Sequence, residues 1–283
     1  MRNAFLVFFL FVFSLPVIAD QENEDSHLPN AEQVIRVGYP VADWQPFTYI
    51  GKDGNAIGLL PSILQEITKN SGYRTEVVTY PNYQQVTQAL RDREIDIIMG
   101  ASKTPERMTW LSFSSPLMLV PIAGITYQEN TNSLFELKGL RIATEKGFAI
   151  NEQLRNGPNS VKVINYTDSL SAYKAVLNGS SDAYISNAIT LDYLLTHQYA
   201  PKKLNIRLLN DMPLESLHFA GLIENNKLIE RLNDGLKQIP SETFDKLYEA
   251  WLTSSQVKYI YQHQGLNLTE SESNAIRDKK VIK

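Results

Sequence analysis

The chain has 283 residues, of which 43% are hydrophobic and 20% charged, with a formal net charge of −4 and no cysteine. That mildly acidic, mixed-sign balance argues against nucleic acid or an anionic membrane as the partner. The missing cysteines exclude disulfides, thiolate metal sites and a lipid anchor on a cysteine.

In chain order, Arg2 precedes an apolar run from Ala4 to Leu15, followed by Pro16 and the small-residue ending Val17-Ile18-Ala19. This is the order of a secretory signal, predicted over residues 1–19 and cleaved after Ala19 to leave a periplasmic protein. A retained membrane anchor is the alternative, although about 12 apolar residues fall short of the roughly 20 a spanning helix needs. Loss of Arg2 takes the net charge from −4 to −5. Residues 20–33 are polar and without periodicity, and read as a disordered leader.

Residues 34–38 read as a buried strand and residues 49–57 as a hairpin around Lys52-Asp53-Gly54-Asn55. Leu60, Ile63, Leu64 and Ile67 recur at helical spacing, with Gly72 closing that helix. A strand over 74–79, a helix over 83–91 and a strand over 95–99 follow. The pattern restarts with strands over 139–144, 161–165 and 182–186, alternating with helices near Asn151, over 170–177 and over 189–198. Such alternation predicts an α/β protein with two doubly wound lobes, whose ligands belong beyond the carboxyl ends of the strands. Apolar crossings over 116–126 and 217–223 join the lobes as a two-strand hinge. The first lobe is therefore discontinuous, residues 34–120 and 217–255, the second is 121–216, and 256–283 is a tail or linker helix.

The run from Asp96 to Arg107 ends a buried strand in small residues, and Thr104, Pro105 and Glu106 fit the cap and first turn of a helix. Such a helix start suits an anion. Gly100 permits close approach, Ser102 adds a hydroxyl, and Arg107 can hold a carboxylate through two parallel hydrogen bonds. On these residues alone, an ordinary connection with a surface-paired arginine is the favoured reading.

Taken together, the segment from Val34 to Trp251 resembles the family-3 periplasmic solute-binding proteins, a type II Venus flytrap group that includes binders of polar amino acids. The resemblance is carried by Trp44-Gln45-Pro46-Phe47, Gly58-Leu59-Leu60, Asp96-Ile97-Ile98, Thr104 with Glu106-Arg107, Phe113-Ser114-Ser115-Pro116, the Leu137–Ala143 stretch and Ser181-Asp182-Ala183-Tyr184. It implies a ligand site in which Trp44 and Tyr83 stack on the ligand, Gly100, Ser102 and Arg107 hold its carboxylate, and Phe148 and Asn187 complete the second-lobe side. Both aromatics are equally open to plain core packing. It further implies a small-molecule carboxylate ligand, a monomer, no cofactor, and an ABC permease or membrane sensor kinase as partner.

Two positions depart from the amino-acid-binding pattern. Where those relatives place an aspartate for the ligand ammonium this chain has Asn187, and Glu145 enters the second-lobe loop after Ala143. The expectation is a preference for carboxylates lacking an α-ammonium, unless Glu145 supplies the missing charge. The tail is also similar to the tandem flytraps of hybrid sensor histidine kinases, with a capping box at Thr269 and Glu272 and an echo of Val34-Ile35-Arg36 in Val281-Ile282-Lys283. Four histidines, His27, His197, His218 and His263, lack ligand spacing, so no metal is expected. Nucleophile and phosphate motifs are missing. An enzyme similar to cyclohexadienyl dehydratases, with Glu145 as acid, is the remaining alternative.

Overall fold

The computed structural model describes residues 33–41, 44–69, 71, 73–129, 131–156, 161–198, 200–201 and 203–263. The expected signal, Gly72, the capping box at Thr269 and Glu272, and the echo at Val281 lie outside these residues. No helix among the described residues is long and apolar enough to cross a membrane.

The first lobe opens with β1 (Gln33–Pro40), the hairpin β2 (Tyr49–Ile50) and β3 (Ala56–Ile57), and α1 (Leu59–Thr68). Leu59, Leu60, Ile63, Leu64 and Ile67 form one buried stripe on α1, which is why the segment is helical and why that face turns inward. After β4 (Tyr73–Tyr80), α2 (Tyr83–Arg91) begins where the Asn82 side chain accepts from the Gln85 N–H at 3.1 Å. β5 (Ile97–Ser102), buried throughout, β6 (Leu111–Phe113) and β7 (Met118–Val120) follow. β1 pairs in parallel with both β4 and β5.

The second lobe runs through β8 (Ile122–Thr126), β9 (Arg141–Glu145), α3 (Ile150–Asn156), β10 (Lys162–Tyr166), α4 (Ser169–Leu177), β11 (Ala183–Asn187), α5 (Ala188–His197) and β12 (Asn205–Leu208). Asp168 caps α4 by accepting from Ser171, and Asn187 caps α5 by accepting from Thr190. β13 (Glu215–Leu222) returns to the first sheet, and α6 (Asn226–Gln238) and α7 (Ser241–Trp251) pack on α1. Gly235 on α6 permits that close approach, because a Cβ there would meet Ile67 at 2.5 Å. α8 (Ser254–His263), the described part of the expected tail, lies against α5 and β7.

The strand orders are β4-β1-β5-β13-β6, with β7 also on β13, and β10-β9-β11-β8-β12. Each sheet thus has three parallel strands, and antiparallel pairing begins at a strand adjoining a crossing between the lobes. This is a mixed α/β fold of two lobes. The outgoing crossing, at Pro121 between β7 and β8, falls inside its expected range. The return differs: Ser216 to Ala220 are interior to β13 and paired within the first sheet, so the chain crosses back between Leu209 and Leu214. Burial from Glu215 onward brings that strand into the first lobe earlier than its apolar run suggests. β12, also unexpected from the sequence, is only half-buried and carries Arg207, which hides its strand pattern.

Candidate functional site

The carboxyl ends of the parallel strands meet between the lobes and line a cavity. Gly38, Tyr39 and Pro40 of β1 contribute from one side with Trp44, Tyr83 and Met99, and Glu145, Phe148 and the Thr167-Asp168-Ser169 turn from the other. Phe148 reaches across and stands edge-on to two first-lobe aromatics, 5.6 Å from Trp44 and 5.3 Å from Tyr83 between ring centroids. Such tilted contacts suit the ring quadrupoles. Trp44 is held from the opposite lobe as well, its indole N–H donating to Thr190 Oγ1 at 3.0 Å, and Gln45 accepts from the Tyr193 hydroxyl. Gly100 supports this wall: its φ is +71°, and a Cβ there would lie 2.4 Å from the Trp44 ring.

Arg107 is buried and spans the cleft. Its guanidinium donates to the Ser102 carbonyl at 3.2 Å within its own lobe and to the Gly147 carbonyl at 2.8 Å in the other. Glu152 of α3 lies 3.4 Å from its Nε. The expected helix after Thr104 is only a 3-10 turn over Arg107–Thr109, so the dipole of a long helix is not available. Leu111 to Phe113 is drawn into the first sheet, which ends the helix after one turn. The Thr104 hydroxyl still accepts from the Arg107 N–H at 3.2 Å just ahead of the turn.

Ser102 and Asn187 stand beside the cavity wall and meet at a residue the sequence reading missed, Glu215 at the start of β13. The Ser102 hydroxyl donates to Glu215 Oε1 at 2.6 Å. Burial raises the Glu215 pKa above the usual carboxylate value, while Ser102, Asn187 and the charge of Arg107 pull it back. The only local sign of this acid is its place before the apolar Leu217 to Leu222 stretch.

Glu145 departs from its expected loop placement: it is the last residue of β9 and only 1% exposed. One oxygen, Oε1, accepts from Tyr184 Oη at 2.5 Å and Ser169 Oγ at 2.8 Å, with Ser186 Oγ at 3.5 Å. The other, Oε2, is buried with no hydrogen-bond partner. Burial pushes the Glu145 pKa up to about 7, against hydrogen bonds from Tyr184, Ser169 and its own backbone amide that favour the charge. Asp168 on the same wall behaves oppositely. Burial alone would raise it, but hydrogen bonds from the Ser171 backbone and from Thr167 outweigh that and hold it below the usual value. Among the described residues, the cavity wall carries these two acids and no lysine, arginine or histidine.

Of the residues expected at the site, the structure brings Trp44, Tyr83 and Phe148 together on the wall and sets Gly100, Ser102, Arg107 and Asn187 behind or beside it. Two α/β lobes joined by two crossings, with a side-chain-lined cavity between them, define a type II periplasmic-binding-protein domain, the Venus flytrap. The family description "bacterial extracellular solute-binding proteins, family 3" matches residues 35–254, and the chain belongs to that family.

Among curated relatives, Sensor protein EvgS of Escherichia coli K12 is 24% identical over 212 residues, which is 75% of this chain but 18% of that protein. ABC transporter arginine-binding protein 1 of the same organism is 22% identical over 219 residues, 74% of this chain and 87% of that one. In fold, the chain is similar to the Bordetella pertussis BvgS periplasmic domain, with a TM-score of 0.68 at 24% identity, over 77% of this chain and 42% of that one. It thus spans roughly a fifth of the length of the first sensor protein it matches.

Proposed function

We propose that this chain is an exported, periplasmic solute-binding flytrap that closes on a small carboxylate-bearing molecule, an amino acid or related organic acid. Its lobes comprise residues 34–120 with the chain from Glu215 to about residue 255, and residues 121–214. The carrying observation is the inter-lobe cavity, whose aromatic walls come from both lobes and which Arg107 bridges. A ligand between Trp44 and Tyr83 would displace Phe148, and a ligand carboxylate would compete with Gly147 and Glu152 for the Arg107 guanidinium. Binding and closure then become one event, which a permease or a sensor kinase in the membrane reads. Relatives of both kinds support that pairing.

A thermal-shift screen of amino acids and organic acids tests the reading, because a ligand that binds only the folded state raises the melting temperature. At least one should do so, and Arg107→Ala should abolish the shift. No shift with any of them contradicts the proposal. A second reading rests on Glu145, whose pKa near 7 is that of a working general acid. Incubation with prephenate or arogenate checks it, and unchanged substrate is the expected result.

A further inference from the structure

Glu145 is placed unlike any other acid described in the chain. It closes an interior strand of its sheet, lines the cavity, and has one carboxylate oxygen held by two hydroxyls while the other is buried without a partner. A buried polar atom left unpaired costs free energy comparable to a lost hydrogen bond, so a site that keeps one invites a partner from outside the chain. Three observations fix the chemistry of that partner. The hydroxyls of Tyr184 and Ser169 already donate to Oε1, so Oε2 is left as an acceptor. Asp168 adds a second negative charge to the wall, and no basic side chain lines it. Trp44, Tyr83 and Phe148 present aromatic surface, which attracts cations.

We infer that Glu145 is a ligand-recognition residue, and that the molecule taken into this cleft carries a protonated nitrogen, an ammonium or guanidinium, which meets its free oxygen. The inference rests on the solute-binding reading above and narrows it. It reverses the expectation drawn from Asn187. Asn187 spends its side-chain oxygen on the Thr190 N–H and stands beside Glu215, so the position opposite a ligand nitrogen passes to Glu145 on the neighbouring strand. The carboxylate preference does not change, but the ligand becomes a zwitterion or a cation.

Three ligands with the same six-carbon chain and carboxylate separate the outcomes: hexanoate with no ammonium, L-norleucine with one and L-lysine with two. Calorimetry on the intact protein should show norleucine or lysine binding at least about ten-fold tighter than hexanoate, as a charge-assisted hydrogen bond in a buried site requires. In Glu145→Gln that ratio should collapse to about three-fold or less, since the amide keeps an acceptor and loses the charge. Hexanoate binding as tightly as the amines in wild type overturns the inference and leaves the solute-binding reading standing. An amine preference that survives Glu145→Gln also overturns it, because the charge then comes from another group. Binding of none of the three overturns the reading itself and the inference with it.

Discussion

The two lobes share one plan, and they part at a single strand end. In the first, Arg36 on β1 gives its backbone N–H and its Nε to Asp96 Oδ2 at 2.8 and 3.1 Å, and its Nη2 to Oδ1 at 2.8 Å. In the second, Arg141 on β9 does the same with Asp182, at 2.8, 3.0 and 2.7 Å. Each aspartate returns its own N–H to the arginine carbonyl. Counted from these staples, Gly38 corresponds to Ala143, Gly100 to Ser186 and Pro40 to Glu145. Pro40 and Glu145 both line the cavity from opposite sides. The scaffold is repeated where it only has to hold strands in register. The repetition stops where the strand ends face the cleft, and there one lobe carries an imino acid and the other a buried carboxylate.

The lobes should differ most at Gly100 and its counterpart Ser186. Gly100→Ala places a Cβ in left-handed backbone and 2.4 Å from Trp44, so it should cost about 3 kcal/mol and displace the indole from Thr190. Ser186 is not in left-handed backbone and lies at the limit of contact with Glu145, so Ser186→Ala should cost less than about 1 kcal/mol. Denaturant unfolding of both variants, with indole fluorescence as the local probe, compares them.

Next in size is the charge on Glu145. Its folded pKa, about 7, is raised above the ordinary 4.5, so the native state prefers the protonated form. The stability this contributes is complete below pH 4.5 and is lost as pH rises through about 7, on the order of 3 kcal/mol in all. Glu145→Gln should therefore be more stable than wild type at pH 8 and no more stable at pH 4.5. Glu215 is also raised and adds to the same trend, whereas His218, lowered by burial, works in the opposite direction. The difference between variant and wild type across pH isolates Glu145. A difference that does not change with pH contradicts the assignment.

The smallest effects should be the most alike. Both staples are part-exposed, with side chains 22 to 41% accessible, so water screens the ion pairs and the backbone N–H bond carries most of their worth. Asp96→Ala and Asp182→Ala should each cost about 1 to 2 kcal/mol, matching within about 0.5 kcal/mol by denaturant unfolding. A several-fold inequality would mean that the staples are not equivalent.

Much of this plan is legible in the sequence, because it rests on local regularities. The α1 stripe, the bounds of α2, the alternation of strands and helices, and the outgoing crossing follow from apolar spacing. What stays hidden depends on which side chain reaches which partner across many residues. Thr104-Pro105-Glu106 reads as a helix start, yet the pull of β6 into the first sheet limits it to one turn. Glu145 follows Ala143-Thr144 and precedes Lys146-Gly147, so composition suggests a loop; its burial is set by Tyr184 and Ser169, from two separate elements. Asn187 reads as a ligand contact, and in the structure it caps α5. Glu215 is signalled only by its place before the apolar Leu217 to Leu222 stretch. The stacking residues are the intermediate case, since Trp44, Tyr83 and Phe148 do gather at the cavity, but in contact with one another.

The most direct measurement is the titration of the Glu145 carboxyl carbon by NMR in isotope-labelled protein, assigned with Glu145→Gln, with and without L-lysine. Asp168, Glu215 and the Tyr184 hydroxyl are the titratable groups around it, and none is expected to carry a positive charge. The midpoint should lie near 7 in the free protein and fall by at least about one unit on binding lysine, because a cation beside the carboxylate favours its charged form. A free-protein midpoint near 4.5, or one that lysine binds without moving, would contradict this.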